Sequence, residues 1–295
     1  MTSAADRIKP AAYILIFLLA ISSCSTKPDE SAEVYTRRLQ ADSLLVQGYN
    51  QSDMFHFNPA WASFNQALNI YASLDNREGM IDALLAMGRT RRITGDIKAA
   101  VELYAHAGAL AEYSGNPDCI RSVLNHQADL ALREGDPVQA LDLLADRENE
   151  STTGRERSAQ LRLRGSAEYA LGNQEKALTL LLEAVQVAEA AEEHVAAAQS
   201  YYKLASIASL GARFDEAEDW ALKALKEDKI PEYTPGIASD LRALAIISEK
   251  SENKEAAEDY YRRAWLAYRA LGRDDDAESA RNRLEDLTGK AVTVP

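Results

Sequence analysis

Two stretches of this 295-residue chain decide its architecture: GRTRRITGDIKAAVELYAHA at 88–107 and GSAEYALGNQEKALTLLLEA at 165–184. Each begins with Gly, has a second Gly in the middle, and continues with Ala, a bulky residue four positions on and another Ala three positions later. The last three residues share one face of a helix, because a helical turn takes about 3.6 residues. The middle Gly suits a tight turn between antiparallel helices, since glycine tolerates positive φ. Each stretch therefore predicts a helix, a turn and a second helix.

The same pattern occurs six times along the chain. Its first Ala recurs at Ala60, Ala100, Ala140, Ala177, Ala217 and Ala257. Successive copies are 40 residues apart, except that the third and fourth are 37 apart. The third copy is irregular: Arg147 replaces the final Ala and a polar segment follows at 146–157, which we interpret as a possible local bend. A period of this length is the signature of a repeat protein.

The quoted stretches resemble the tetratricopeptide repeat, and the resemblance covers residues 34–272. It implies an all-α, right-handed superhelical solenoid of antiparallel helix pairs. The usual repeat has about 34 residues, so the second helices or the loops after them should be longer here. The Trp common early in the first helix is absent, because Trp61, Trp220 and Trp265 all fall on predicted second helices. A last helix at about 274–288 is expected to cover the final apolar face, so residues 273–295 form a capping helix and short tail.

The amino-terminal segment predicts where in the cell the protein is located. Residues 11–21 are apolar, but a bilayer-spanning helix needs about 20 such residues. A charged start, a short apolar stretch and small residues are typical of a cleaved signal. The tetrapeptide 21–24, Ile-Ser-Ser-Cys, resembles the bacterial lipobox, which implies a signal peptide at 1–23 and lipidation of Cys24. An ordinary signal peptide with an incidental cysteine is the alternative.

Residues 24–33 would then form a lipidated flexible tether. Because Ser25 follows the cysteine where many inner-membrane lipoproteins have Asp, the resemblance implies anchoring in the outer membrane, facing the periplasm. With Cys24 modified, Cys119 has no intramolecular partner, so the chain should fold without a disulfide. We expect Cys119 to be a packing residue near a helix start.

Charge and motifs narrow the function. A net charge of −13 argues against nucleic acid as a partner. The four histidines include no pair with helical zinc-site spacing, and CxxC, Walker and GxSxG motifs are absent. His106 and His126 could face each other from successive helices, but two ligands make a poor metal site. The sequence therefore predicts neither an enzyme nor a cofactor, although scattered carboxylates could still converge in the fold.

In tetratricopeptide proteins the first helices line an inner groove. The resemblance assigns to it, position by position, Tyr49, Arg89, Arg92, Asn125, Asp129, Arg133, Arg162, Tyr169, Tyr202, Arg242 and Lys250. The first helices are slightly basic within an acidic chain, which predicts an extended acidic peptide as the ligand. The alternative is that these arginines only pair with acids on adjacent helices.

Two loops also stand out. DMFHFNP at 53–59 places aromatic residues in a turn, where they could contact a partner or a lipid surface, or fold back onto the terminal repeat. EYTPG at 232–236 has the composition of an ordinary interhelical loop.

The leading hypothesis is a non-catalytic, lipid-anchored adaptor that binds a protein partner through its groove, in the assembly of outer-membrane proteins, secretins or pili. A nutrient- or glycan-binding lipoprotein is the alternative, which exposed Trp residues in the groove would favour.

Overall fold

The computed structural model describes residues 32–145 and 153–292. The described residues form helices and turns without strands. The helices are α1 (Ala32–Asp53), α2 (Phe57–Ser73), α3 (Arg77–Ile93), α4 (Ile97–Ser114), α5 (Pro117–Arg133), α6 (Pro137–Leu144), α7 (Gly154–Ala170), α8 (Gln174–Ala190), α9 (His194–Leu210), α10 (Phe214–Lys229), α11 (Thr234–Lys250), α12 (Lys254–Ala270) and α13 (Asp274–Thr288). Residues 24–31 of the predicted tether, with Cys24, and residues 146–152 of the irregular third repeat lie outside these ranges, and α1 already begins at Ala32.

The chain divides into a small unit at 1–37 and a large unit at 38–295, and the contacts described below lie within the large unit. Odd-numbered helices up to α11 are the first helices of the six repeats, and even-numbered helices are the second ones. Consecutive helices pack against each other along the large unit, as in tetratricopeptide-like solenoids. Within the described ranges no helix is both long and apolar enough to cross a bilayer.

The 40-residue period comes from long helices. In the fourth repeat, α7 and α8 have 17 residues each and are joined by the three-residue turn at 171–173. An equally short turn at 191–193 leads to α9. Both helices of the pair are thus extended, while the loops between repeats stay short. The third repeat differs, because α6 has only 8 residues.

Every turn within a repeat uses one residue with left-handed backbone. Gly95, Gly135 and Gly172 have φ of 84°, 83° and 88°, which confirms the predicted glycine turns. The equivalent residues of the other three repeats are Phe55, Ala212 and Glu252. Side-chain caps then start several helices: the Asp96 carboxylate, for example, accepts from the backbone N–H of Ala99. The turn geometry is therefore a property of the repeat position, and glycine is only its least strained occupant.

The core consists of small residues opposite bulky ones. Ala60, Ala100, Ala177, Ala217 and Ala257 are completely buried, as the repeat pattern predicts. The bulky residue of each second helix packs onto the small residue of the first: Phe64 lies against Gly48, and Tyr104 against Gly88. Ala277, Ala280 and Leu284 of α13 are buried on the last repeat, so α13 is the expected capping helix.

The first and last repeats of the large unit touch. The Arg273 guanidinium lies over the Phe55 ring, 4.4 Å from its centroid, and Phe57 packs onto the same ring at 5.2 Å. The Gly272 backbone adjoins the Met54 carbonyl. The aromatic residues of 53–59 thus fold back, but onto the opposite end of the solenoid rather than only onto their own repeat.

Candidate functional site on the inner face

The face formed by the first helices, called the inner face below, has a basic cluster at its middle. Asp129 of α5 is its one carboxylate, 3.0 Å from Arg133 Nε one turn on and 3.6 Å from Arg92 of α3. Although burial raises the pKa of Asp129, the neighbouring Arg133, Arg92 and Arg162 outweigh it and leave that pKa below its ordinary value. Asp129 therefore lies in a net positive environment.

Two further cations of this basic cluster are not neutralised. Arg162 of α7 and Lys203 of α9 make no ion pair with another described residue. Burial lowers the pKa of Lys203, and repulsion from Arg162 and Arg133 lowers it further. Burial likewise lowers the pKa of Arg162. The cluster, defined as Arg92, Asp129, Arg133, Arg162 and Lys203, thus has four cations around one carboxylate, and an anionic ligand would relieve their repulsion.

Towards the first repeat the inner face is internally paired. Arg89 Nη2 lies 3.3 Å from Asp53 Oδ1, and the Arg89 guanidinium also interacts with the Tyr233 hydroxyl across the inner face. Burial works against the charged form of Arg89, but Tyr233 and Asp53 outweigh it and raise the Arg89 pKa. Tyr49 packs edge-on against Phe64 at 5.3 Å, and burial raises its pKa to about 12. Arg89 is thus paired with an acid on a neighbouring helix, as the alternative describes.

Of three other residues assigned to the groove, two have mainly packing roles and one is exposed. Asn125 is 5 % exposed, and its amide donates to the Glu156 backbone carbonyl (3.1 Å) and carboxylate (2.9 Å), which ties α5 to α7. Tyr169 packs against the apolar core of the fourth and fifth repeats. Tyr202 remains 37 % exposed on α9 and is available to a ligand.

Arg242 and Lys250 lie apart from the basic cluster. Both line a cleft of about 380 Å³ between α11 and α13. Arg242 Nη1 is 3.2 Å from Asp276 Oδ1 at the start of α13, whereas Lys250 makes no ion pair with another described residue.

The remaining candidate groups are structural. His126 packs on the Tyr104 ring at 5.6 Å, and burial lowers its pKa. Burial raises the pKa of the Cys119 thiol to about 11, so Cys119 is a packing residue as expected. Among the described residues no three His, Cys, Asp or Glu side chains are grouped as metal ligands. Trp61 is covered by Arg91 at 4.0 Å, and Trp220 by Tyr201 and Lys223, so their ring faces are already occupied.

Sequence reasoning missed three residues of the inner face. Asp53 occupies the same repeat position as Arg133, so the position rule could have identified it. Lys203 is next to the assigned Tyr202, but at a position that the rule does not include. Tyr233, in the segment that had the composition of an ordinary loop, contacts Arg89 on a distant repeat, and no local pattern signals this.

Comparison with known proteins places the fold. No family model matches this sequence, and no curated protein matches it either. Among solved structures, a Rap conjugation gene regulator of plasmid pLS20, in complex with the Phr* peptide, matches with a TM-score of 0.61 and 15 % identity, covering 86 % of this chain and 67 % of its own. A Rap protein complexed with Competence and Sporulation Factor matches with a TM-score of 0.57 and 14 % identity, covering 86 % and 76 %.

A third similar structure is a signal transduction ATPase with a tetratricopeptide repeat sensor from Pyrococcus horikoshii. Its TM-score is 0.53 at 15 % identity, and the match covers 86 % of this chain and 43 % of the other. At such identities the likeness concerns the fold alone. With the six-fold pattern and its packing, it shows that this chain is a tetratricopeptide-like helical-repeat protein.

Proposed function

We propose that this protein is a non-catalytic adaptor that binds an acidic peptide segment of a protein partner on its inner face. The observation that carries the proposal is the basic cluster, in which Arg92, Arg133, Arg162 and Lys203 surround the single carboxylate Asp129. Two of the similar structures are peptide or factor complexes of Rap proteins, which supports a peptide as the ligand. Carboxylates of such a peptide would replace water around Arg162 and Lys203 with charge-assisted hydrogen bonds.

Binding is tested with a fluorescein-labelled synthetic peptide rich in Glu and the same peptide with Gln at each Glu. Fluorescence anisotropy with the full-length chain should show tighter binding of the Glu peptide, weakening as salt rises. Arg162→Gln and Lys203→Gln should each weaken it about tenfold, because each removes a charge-assisted contact.

The matched control is Lys226→Gln, since Lys226 is an exposed lysine on α10 of the same repeat as Lys203. Equal binding of the two peptides, or equal affinities of the Lys203 and Lys226 variants, would contradict the proposal. Arg89 and Arg92 are poor choices for this test, because their substitution breaks ion pairs to Asp53 and Asp129.

We further propose that the protein is a lipid-anchored component of a bacterial envelope, in which it serves the assembly of outer-membrane proteins, secretins or pili. The support is the tetrapeptide Ile-Ser-Ser-Cys at 21–24 after a short apolar stretch. Cys24→Ala removes the residue that would carry the acyl chains, on which durable anchoring depends. The variant should therefore move from the membrane fraction to the soluble fraction and lose its labelling by radioactive palmitate. Unchanged fractionation of the variant would refute the anchor.

Identifying the protein partner would show which assembly pathway the protein serves. Cells carrying a tagged chain would be crosslinked in parallel with the Arg162→Gln/Lys203→Gln form. A protein captured by the former and lost from the latter identifies the partner. The nutrient- and glycan-binding alternative is not favoured, because the Trp61 and Trp220 ring faces are covered by neighbouring side chains.

A further inference from the structure

The cleft between α11 and α13 combines charge with an apolar floor. Arg242 and Lys250 of α11 and Arg283 of α13 line it, and Ile246 and Ala280 form its apolar part. Glu249 is the one carboxylate among its lining residues. Because Arg242 is paired with Asp276 at the start of α13, Lys250 is the cation of this lining that makes no ion pair with another described residue.

Glu249 already occupies one of these cations. Its carboxylate accepts a hydrogen bond from the Tyr261 hydroxyl at 2.8 Å and pairs with Arg283. Arg283 also lies 3.8 Å from the exposed Asp286, which is outside the cleft. Glu249 therefore shows where a carboxylate fits in this cleft: between the Tyr261 hydroxyl and Arg283.

We infer that the cleft is a second binding site, which takes a carboxylate carried on a short apolar group. The carboxylate reaches Lys250 and Arg283 in competition with Glu249, and the apolar group lies on Ile246 and Ala280. A peptide end or a free short-chain acid has this chemistry. Only the assignment to a peptide rests on the proposed function, because the cleft and its charges are separate from the basic cluster.

The test uses N-acetyl-leucine, N-acetyl-leucinamide and hexanoate as probes in NMR titrations of the full-length chain. N-acetyl-leucine should shift the resonances of α11 and α13, and its amide should bind about tenfold more weakly, because it lacks the charge. Binding of N-acetyl-leucine well above that of hexanoate identifies a peptide end as the source, and the reverse identifies a free acid.

Three variants test the competition. Glu249→Gln keeps the shape and an acceptor for Tyr261, and should tighten binding of the preferred acid several-fold by releasing Arg283. Asp286→Asn removes a carboxylate beside the same arginine but outside the cleft, and should have little effect because that pair is exposed. Lys250→Gln should weaken binding about tenfold.

Three results would overturn the inference. The first is no binding of either acid at about 20 mM, a concentration at which even a weak millimolar ligand would bind. The others are equal binding of acid and amide, and equal effects of Glu249→Gln and Asp286→Asn. The proposed function can fail independently, because Arg162→Gln and Lys203→Gln leave this cleft intact and Lys250→Gln leaves the basic cluster intact.

Discussion

Two buried aspartates in this solenoid have pKa values well above the ordinary range. Asp228 near the end of α10 and Asp240 of α11 are 4 % and 2 % exposed. Burial raises the pKa of Asp228 to about 7 and that of Asp240 to about 9, and repulsion from Asp228 adds to the second shift. The two carboxyls also hydrogen-bond to each other, which requires a proton between them. At neutral pH the folded chain therefore keeps a proton on this acid pair, because the pair is buried.

This pair predicts how stability depends on pH. The folded-state pKa values lie above the ordinary value of about 3.9, so the folded chain keeps protons that the unfolded chain releases. The stabilisation is complete below about pH 4 and is lost as pH rises through about 7 and then 9, by about 1.4 kcal/mol per pH unit for each retained proton. Asp240→Asn should flatten this decline in urea unfolding measured from pH 5 to 9.

The control for the pH prediction is Asp219→Asn, which removes an exposed carboxylate from α10 and should keep the wild-type slope. If Asp240→Asn declined as steeply as wild type, the pair would not be the source of the dependence.

At the scale of helices, the space between two packed helices decides whether a residue larger than glycine is tolerated at a given position. A Cβ built on Gly88 of α3 would collide with the Tyr104 ring of α4, and Tyr104 is 1 % exposed. By contrast, a Cβ on Gly108 of α4 would lie 3.5 Å from Val123 Cγ1, an ordinary contact. Two helical glycines thus have different reasons to be present.

Alanine substitutions at these glycines should have opposite effects. Gly88→Ala gains about 1 kcal/mol of helix propensity, but overpacking against Tyr104 costs about 1–3 kcal/mol. The net result should be destabilisation by roughly 1 kcal/mol in urea unfolding. Gly108→Ala retains the propensity gain and should stabilise the protein by up to about 1 kcal/mol. Equal effects of the two substitutions would show that helix propensity alone decides.

Across the whole large unit, contacts join repeats that are distant in sequence. Arg273 lies over the Phe55 ring, and Tyr233 reaches Arg89 across the inner face. Such contacts join the two ends of the large unit. Arg162 and Lys203 make no ion pair with another described residue, whereas Arg89, nearer the first repeat, is paired with Asp53.

Removing the Phe55 contact should let the ends separate. A cation–π pair contributes about 1 kcal/mol at a partly exposed site. Arg273→Gln or Phe55→Leu should therefore raise, several-fold, the fraction of molecules in which the first and last repeats are apart. Spin labels at Asn58→Cys and Asp275→Cys, in a background with both Cys24→Ala and Cys119→Ala, would report longer distances by pulsed electron paramagnetic resonance.

The matched control for this closure is Arg263→Gln, which removes an arginine 5.2 Å from the Tyr260 ring within α12 and should leave the label distances unchanged. Identical distance distributions in all variants would mean that Phe55 and Arg273 touch without contributing to closure.

Residue spacing by itself determined the repeats, the order of first and second helices, the glycine turns and the capping helix. The physical reason is that these features depend on contacts within one helix pair. Gly88 and Tyr104 lie on the two helices of the same repeat, and the turn at Gly95 requires only the positive φ of that residue. The position rule also selected Arg162 and Asp129 for the inner face, because every first helix presents the same positions there.

Only the tertiary structure decided which of those side chains are available to a ligand. Arg89 is paired with Asp53, Asn125 is held by Glu156, and Arg162 and Lys203 share one carboxylate with two other cations. These outcomes depend on distances between separate repeats, which accumulate from small rotations between neighbouring helix pairs. No local pattern encodes that sum, so the sequence predicted a basic inner face while the fold determined where its charge remains unpaired.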